Sequence, residues 1–178
     1  CSSDLRKLVQ LAENAIARAF KTGVTRPIWG LEPVGLTARL QTARGGFVTL
    51  LRSGERQGRM GEVVPHRAIW QVVVEHALNA AFHDNRFKPV DVKEWPSYKI
   101  EVSILTEPRP VEDWHDIHPE RHGIVLRKGS ASAVELPMIG RPVEKILEEL
   151  AVRAGLPPDG WREGATFLVF ETQVFTKG

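Results

Sequence analysis

The chain has 178 residues, of which 42% are hydrophobic and 26% charged, and its formal net charge is +2 with a pI near 8.9. This length and composition predict a globular protein with a buried core, not a disordered tail. The near balance of charge argues against a nucleic-acid-binding protein. No apolar run is long enough to cross a bilayer, and no secretory signal is present. We therefore expect a cytoplasmic protein with no nucleic-acid or membrane partner.

The single cysteine limits the chemistry that the chain can perform. With only Cys1 present, an internal disulfide framework and a zinc site made of cysteines are excluded. A thiol nucleophile inside the fold is excluded for the same reason. Histidine, carboxylate and arginine side chains are left as the candidates for a site.

The first 52 residues predict a helix, a loop and a strand. Apolar residues recur at intervals of three and four over residues 4–20, which is typical of an amphipathic helix, and Gly23 ends it. The proline- and glycine-rich segment 23–35 predicts a loop, with Trp29 as an anchor in the core. The β-branched and aromatic residues of "GGFVTLLR", residues 45–52, predict a strand.

The middle of the chain predicts a turn, a helix and a second strand. Residues 53–62, "SGERQGRMGE", contain two glycines three apart and read as a glycine-framed turn. A helix follows from Pro65 and His66 to residue 82 because apolar side chains recur on one face. The alternation of apolar and polar residues over 98–105 predicts a half-buried strand.

The last third predicts a hairpin, a helix and a final strand. Residues 122–129 and 132–137 read as two short strands joined across Gly129. Residues 142–154 begin with proline and are followed by a glycine stop, which is typical of a helix. The residues of 165–175 predict one strand. We therefore expect an α+β fold with a mostly antiparallel sheet and flanking helices.

Two groups of histidines raise the question of a metal or a general base. "WHDIHPERHG" holds several potential metal ligands, but Pro119 interrupts any helix that would align them, and a polar loop is the simpler interpretation. His76 and His83 lie on one face of the predicted helix and could act as a pair of general bases or share a metal. The simpler interpretation is that His76 is a buried core histidine. No resident metal or cofactor is therefore predicted. The potential metal ligands in the histidine-rich segment are His115, Asp116, His118, Glu120 and His122.

Arginines are concentrated around the glycine-framed turn. No phosphate-binding glycine loop is present, but arginine side chains suit carboxylate and phosphate ligands. Asp84 and Arg86 could form a recognition pair, or simply a turn in which the carboxylate accepts backbone hydrogen bonds. For the arginines of residues 39–67, the alternative to ligand binding is that they are scattered over a solvent-exposed surface. These arginines are Arg39, Arg44, Arg52, Arg56, Arg59 and Arg67.

Seven short segments, taken in order and with their gaps, resemble the AMMECR domain family, also called AmmeMemoRadiSam system protein A. The resemblance covers nearly the whole chain. The segments are "GGFVTL", "AAFHDNRFKPV", "IEVSIL", "RHGIVL", "LP", "AGLPPDGW" and "FETQVF".

The resemblance implies a single two-lobed α+β domain over residues 1–178. The larger lobe would come from both chain ends and the smaller from the middle, roughly residues 88–140. Family members tend to occur with a Memo-like protein and a radical S-adenosylmethionine enzyme. The resemblance therefore implies these two partners and a shared modification or maturation pathway, but no defined activity.

The glycine-framed turn departs from the family pattern. In the family, this turn reads leucine, arginine, glycine, cysteine, isoleucine, glycine, whereas here the last five positions are Gln57, Gly58, Arg59, Met60 and Gly61. Both glycines are kept, but arginine replaces the thiol, so a reaction through that cysteine is excluded. The other matching positions that are kept are Asp84, Arg86, Phe87, Glu101, His122 and Gly123.

Three hypotheses for function follow. The first is a cleft that binds an anionic small molecule or a partner's peptide through Gln57, Gly58, Arg59, Gly61, Asp84, Arg86, Glu101 and His122. The second is an enzyme with His83 or His122 as general base beside Asp84, with or without a metal. The third is a scaffold with an exposed apolar patch around Trp95, Trp114 or Trp161.

Overall fold

The computed structural model describes residues 2–30, 33 and 35–177, so Cys1, Gly178 and three positions of the predicted loop lie outside the described residues. The described residues form helices and antiparallel strands, which confirms the α+β prediction. In chain order the elements are α1 (Ser2–Thr22), β1 (Gly46–Arg52), β2 (Glu55–Glu62), α2 (Ile69–Phe82), β3 (Tyr98–Leu105), β4 (Arg109–Val111), β5 (Gly123–Lys128), β6 (Ala131–Glu135), α3 (Val143–Arg153), β7 (Thr166–Phe170) and β8 (Thr172–Thr176).

The chain divides into two compact units. The first comprises Cys1–Ile104 with Gln173–Gly178, and the second comprises Leu105–Thr172. The family resemblance implied a smaller lobe at roughly 88–140, whereas the second unit begins at residue 105 and extends to residue 172. The reason is that β7 pairs with both β4 and β5 and so belongs to their sheet.

In the first unit, a four-stranded sheet packs against two helices. The strand order is β2-β1-β3-β8, and β1 is antiparallel to both of its neighbours. Helix α2 packs against α1 and against β1 and β2. Because β-strand side chains alternate between faces, one face of the sheet supplies the core. The buried residues include Leu8, Ile16, Val48, Leu50, Val72, Val73, Ile100 and Val102.

The prediction of a turn over residues 53–62 was wrong for most of its length. Only Ser53 and Gly54 form the turn, with positive φ angles of 53° and 77°, and they join Arg52 to the paired Glu55. Positive φ at both central residues is typical of a tight two-residue hairpin turn. The rest of the segment is β2, in which a bulge leaves Gln57 without a partner on β1.

Helix α2 begins three residues later than predicted. The chain before it forms a bridge between Ala43 and Ala68, and the backbone N–H of Ile69 donates to the carbonyl of Thr42 at 3.0 Å. Ala68 has an extended backbone conformation, with φ −56° and ψ 137°. The backbone at Pro65 and His66 is therefore irregular and not helical, because pairing with an earlier segment replaces the first helical turn.

In the second unit, a four-stranded sheet carries one helix. The strand order is β4-β7-β5-β6, and α3 packs against β5 and β6. The single final strand predicted for residues 165–175 is in fact two strands in different sheets, β7 and β8, with Glu171 between them. Within the described residues, no helix has the length and apolarity needed to span a membrane.

Trp29 and Trp161 do not lie where the sequence suggested. Trp29, predicted to anchor the core, is 48% exposed and contacts Trp70 edge-on, with 5.8 Å between ring centroids. Trp161 is only 1% exposed and packs against Trp114, so it cannot belong to an exposed patch. The reason is that Trp161 lies in the core that α3 shares with its sheet, whereas Trp29 lies on a loop at the surface.

Candidate functional site

A row of three polar side chains crosses one face of the first sheet. Arg59 on β2 is opposite Thr49 on β1, and Thr49 is opposite Glu101 on β3. Directly opposed residues of antiparallel strands share a face, so these side chains are neighbours. Arg59 Nε donates to Thr49 Oγ1 at 3.1 Å, and Thr49 is buried. We call Arg59, Thr49 and Glu101 the sheet row.

Asp84 and Arg86 bind the outer edge of β2. The backbone N–H of Arg59 donates to Asp84 Oδ2 at 3.0 Å, and Arg86 Nη2 donates to the backbone carbonyl of Arg59 at 2.8 Å. Because β2 is the last strand of its sheet, no neighbouring strand serves these groups. The aspartate and the arginine therefore act as a neighbouring strand would, and we call this pair the edge cap.

The edge cap is also an ion pair that keeps Asp84 charged. Arg86 donates to the carboxylate from Nε at 2.9 Å, from Nη2 at 2.8 Å and from its backbone N–H at 3.2 Å. Burial acts to raise the pKa of Asp84, but the hydrogen bonds from Arg86 and from the backbone of Arg59 outweigh it and lower the pKa to about 2. Asp84 is thus ionised at neutral pH and holds the edge of β2 through these hydrogen bonds.

The two family glycines are needed for close packing. A Cβ atom at Gly58 would lie 2.3 Å from the carbonyl oxygen of Ala80 in α2. A Cβ atom at Gly61 would lie 2.3 Å from the carbonyl oxygen of Gly46 and 2.4 Å from the Phe47 ring. Close approach of the backbone therefore explains both glycines. A ligand-binding role for them, and for Gln57 in the bulge, stays a prediction.

The two candidate bases are in different units and in different surroundings. His83 is exposed at the end of α2, and its Nε2 lies 3.0 Å from Thr25 Oγ1 and 3.1 Å from the Thr25 carbonyl oxygen. His122 is buried in the second unit, where its Nδ1 accepts a hydrogen bond from the backbone N–H of His118 at 3.0 Å. A ring whose Nδ1 accepts carries its proton on Nε2 when neutral.

His122 has the more unusual environment of the two. Its Nε2 is buried and has no hydrogen-bond partner among the described residues. Burial, together with the positive charges of Arg121 and Arg109, lowers the pKa of His122. The ring is therefore neutral at neutral pH and presents one unsatisfied N–H.

A second charged cluster, not predicted from the sequence, joins the end of β2 to α2. Arg67 forms ion pairs with Glu62 and Glu75, and His76 Nε2 lies 2.8 Å from Glu62 Oε1. Burial acts to raise the pKa of Glu62, but hydrogen bonds from Arg67 and His76 outweigh it and lower the pKa. His76 is buried and hydrogen-bonded, as a core histidine is. The sequence did not predict this cluster because Glu62 and Glu75 become neighbours only when β2 packs on α2.

This cluster contains residue types that bind metals, but an arginine already neutralises its carboxylates. Ligand atoms of Glu62, Glu75 and His76 lie within 4.8 Å of one another. The Arg67 guanidinium, however, already contacts both carboxylates and neutralises them. A cation would have to displace it, so we interpret the cluster as structural.

The histidine-rich segment does not gather its potential ligands. His115 Nδ1 lies 2.6 Å from Asp113 Oδ1, and the His115 ring stacks on Trp114 with 3.7 Å between centroids. His118 is exposed. Over the part of the chain that the structure describes, the group of three potential metal ligands is Glu62, Glu75 and His76, and none of its members lies in the histidine-rich segment.

Comparison with known proteins identifies the family. A family model described as AMMECR1 matches residues 9–175. The chain belongs to the AMMECR1 family. A relative from Methanopyrus kandleri is 38% identical over 184 residues, which cover 94% of this chain and 86% of that relative. A relative from Aquifex aeolicus is 30% identical, covering 97% of this chain and 92% of the relative.

A solved structure supports the fold of this AMMECR1-family chain. The crystal structure of an uncharacterized protein from Pyrococcus horikoshii aligns with a TM-score of 0.88 and 31% identity, covering 97% of this chain and 90% of that protein. The names of these three relatives state no ligand, reaction or partner. The matches therefore establish family and fold, and the activity has to be argued from the residues.

Proposed function

We propose that this AMMECR1-family chain is a binding protein whose sheet row takes a carboxylate or phosphate group, carried by a small anion or by a partner's peptide. The observation that carries the proposal is that Arg59 is held at three points. Asp84 accepts from its backbone N–H, Arg86 donates to its carbonyl, and Thr49 accepts from its Nε.

A guanidinium held in this way suits anion recognition. Arginine is always charged at neutral pH and presents planar donors that match carboxylate and phosphate oxygens. Anchoring its backbone and Nε reduces the conformational entropy that binding would otherwise cost. Arg59 is partly exposed, and Glu101 at the other end of the row would disfavour an anion there. We therefore propose that the anion binds at the β2 side of the row.

The family resemblance extends the proposal to partners. We propose a Memo-like protein and a radical S-adenosylmethionine enzyme as the pathway in which this binding occurs. Because Arg59 stands where the family carries a cysteine, this chain would contribute charge where its relatives contribute a thiol.

Binding measurements with a matched arginine test this proposal. Calorimetric titration with inorganic phosphate and succinate, and co-purification with the two partner proteins, should show binding that Arg59→Ala weakens at least tenfold. Arg56→Ala is the control because Arg56 is exposed on the same strand, opposite Leu51. Urea unfolding shows whether each variant is folded. Equal binding by the wild type and both variants would overturn the proposal.

A histidine-based enzyme is the second candidate, and the buried unsatisfied Nε2 of His122 is the observation that favours it. A neutral imidazole whose Nε2 carries the proton can donate that N–H to a substrate oxygen on which negative charge develops. Hydrolysis of p-nitrophenyl acetate and p-nitrophenyl phosphate is the test. His122→Ala should abolish turnover and His118→Ala, at an exposed ring, should retain it. No turnover by the wild type, or full turnover by His122→Ala, would exclude this candidate for those substrates.

A further inference from the structure

A pocket in the first unit, away from the sheet row, has the features of a small-molecule site. Its volume is about 430 Å³, which is within the range of roughly 300–1,000 Å³ typical of ligand pockets. We propose that it binds a small amphiphilic anion, that is, an aromatic or other flat apolar group carrying a carboxylate, sulfonate or phosphate. We call it the Trp29 pocket. It is lined by residues of α1, α2 and the loop between α1 and β1, among them Leu11, Ile28, Trp29, Trp70, Val74 and Leu78.

Several apolar side chains that line the Trp29 pocket are exposed to solvent. Val24, Ile28 and Trp29 are 36%, 42% and 48% exposed, and all three line this pocket. Exposed apolar residues that cluster in this way mark binding surfaces more often than scattered ones do. Trp29 stands edge-on to Trp70, an arrangement that leaves an aromatic face for a flat ligand.

The polar residues of the pocket determine the charge of the ligand. Arg18 and Arg26 line it together with Asn14, and none of its described lining residues is acidic. Neither guanidinium forms an ion pair or a hydrogen bond with a described residue. Two positive charges that no described acidic side chain neutralises, beside an apolar wall, favour a ligand with an apolar body and an anionic end.

The loop that carries Trp29 is fastened to α2. His83 Nε2 lies within hydrogen-bonding distance of both the carbonyl oxygen and Oγ1 of Thr25. This contact holds the loop beside Leu78 and Val74, which line the same pocket from α2. His83 is thus a positioning residue for the pocket in this proposal, which gives it a role other than general base.

Two fluorescent probes that differ in one charged group test the proposal. Anilinonaphthalene sulfonate is an aromatic anion, and phenylnaphthylamine has the same rings without the sulfonate. We expect the sulfonate to bind at least tenfold more tightly than the neutral probe. Arg18→Gln with Arg26→Gln should remove that preference, and Trp29→Ala should weaken both probes at least tenfold.

Control variants distinguish this site from the sheet row and from non-specific binding. Arg6→Gln removes an exposed arginine of α1 that does not line the pocket, and it should leave both affinities unchanged. Arg59→Ala should also leave them unchanged, so failure here and failure of the proposed function can be told apart. Equal affinity for the two probes, or a preference that survives the double substitution, would overturn the inference.

Discussion

The edge of β2 and the Trp29 pocket lie in the same unit and both contain arginine, but the arginines have different surroundings. At the edge, Arg86 is bound to Asp84 and to the backbone of β2. At the pocket, the guanidinium groups of Arg18 and Arg26 have no partner among the described residues. The number of arginines in a segment therefore does not show which ones hold the fold together and which can meet a ligand.

The largest expected difference between the two regions is at their glycines. Gly58→Ala places a Cβ atom 2.3 Å from a backbone oxygen of α2, and the required shift should lower the free energy of unfolding by about 3 kcal/mol. Gly30→Ala in the pocket loop meets nothing within 4 Å, and only its φ of +97° is strained, so about 1 kcal/mol is expected. Urea unfolding measures both.

The glycine comparison has a clear failing outcome. If Gly58→Ala costs no more than Gly30→Ala, α2 does not constrain β2, and the packing argument for the family glycine is wrong.

Removing the carboxylate of the edge cap should have the next largest effect. Asp84→Ala leaves the edge of β2 without its acceptor and removes several charge-assisted hydrogen bonds, so stability should fall by about 2–3 kcal/mol. Asp91→Ala is the matched control, since among the described residues the exposed Asp91 carboxylate accepts only a local bond, from the backbone N–H of Lys93 at 2.8 Å. Its expected cost is about 0.5 kcal/mol. Similar losses for the two variants would contradict the edge-cap role.

The edge cap should also make stability depend on pH in the acid range. The folded pKa of Asp84, about 2, is below its ordinary value of 3.8, so the unfolded chain binds the proton more tightly. The contribution is complete above pH 4 and is lost as the pH falls through 2, in total about 2 kcal/mol. The stability difference between wild type and Asp84→Ala should shrink by that amount over this interval. A constant difference would show that the charge of Asp84 is unimportant.

The smallest effects are expected at the arginines themselves. Arg18→Ala and Arg26→Ala should each change the free energy of unfolding by less than about 0.5 kcal/mol, because their guanidinium groups have no described partner. Arg86→Ala should cost about 1.5 kcal/mol, since it leaves a buried carboxylate with fewer donors. Thermal and urea unfolding check the contrast. A pocket arginine that costs as much as Arg86 would be structural, which would weaken the ligand proposal.

Elements with a clear side-chain period were predictable from the sequence. Helices α1 and α3 and strands β1 and β3 were predicted within two residues of their observed bounds, because each buries one face and its apolar residues recur accordingly. The hairpin of β5 and β6 followed from Gly129, whose φ is +59°. The family and the α+β class were also predicted from the sequence, and Asp84 and Arg86 were identified as a pair.

Strand β2 and the roles of its neighbours were decided only by the tertiary structure. "ERQGRMGE" has few residues that favour a strand, so it is a strand because β1 pairs with it and because Asp84 and Arg86 serve its outer edge. The position of Trp29 at a pocket, and the meeting of Glu62 with Arg67 and Glu75, likewise depend on how α2 packs. A local sequence pattern reports which side chains are apolar, whereas hydrogen-bond partners and exposed surfaces depend on residues brought together from distant parts of the chain.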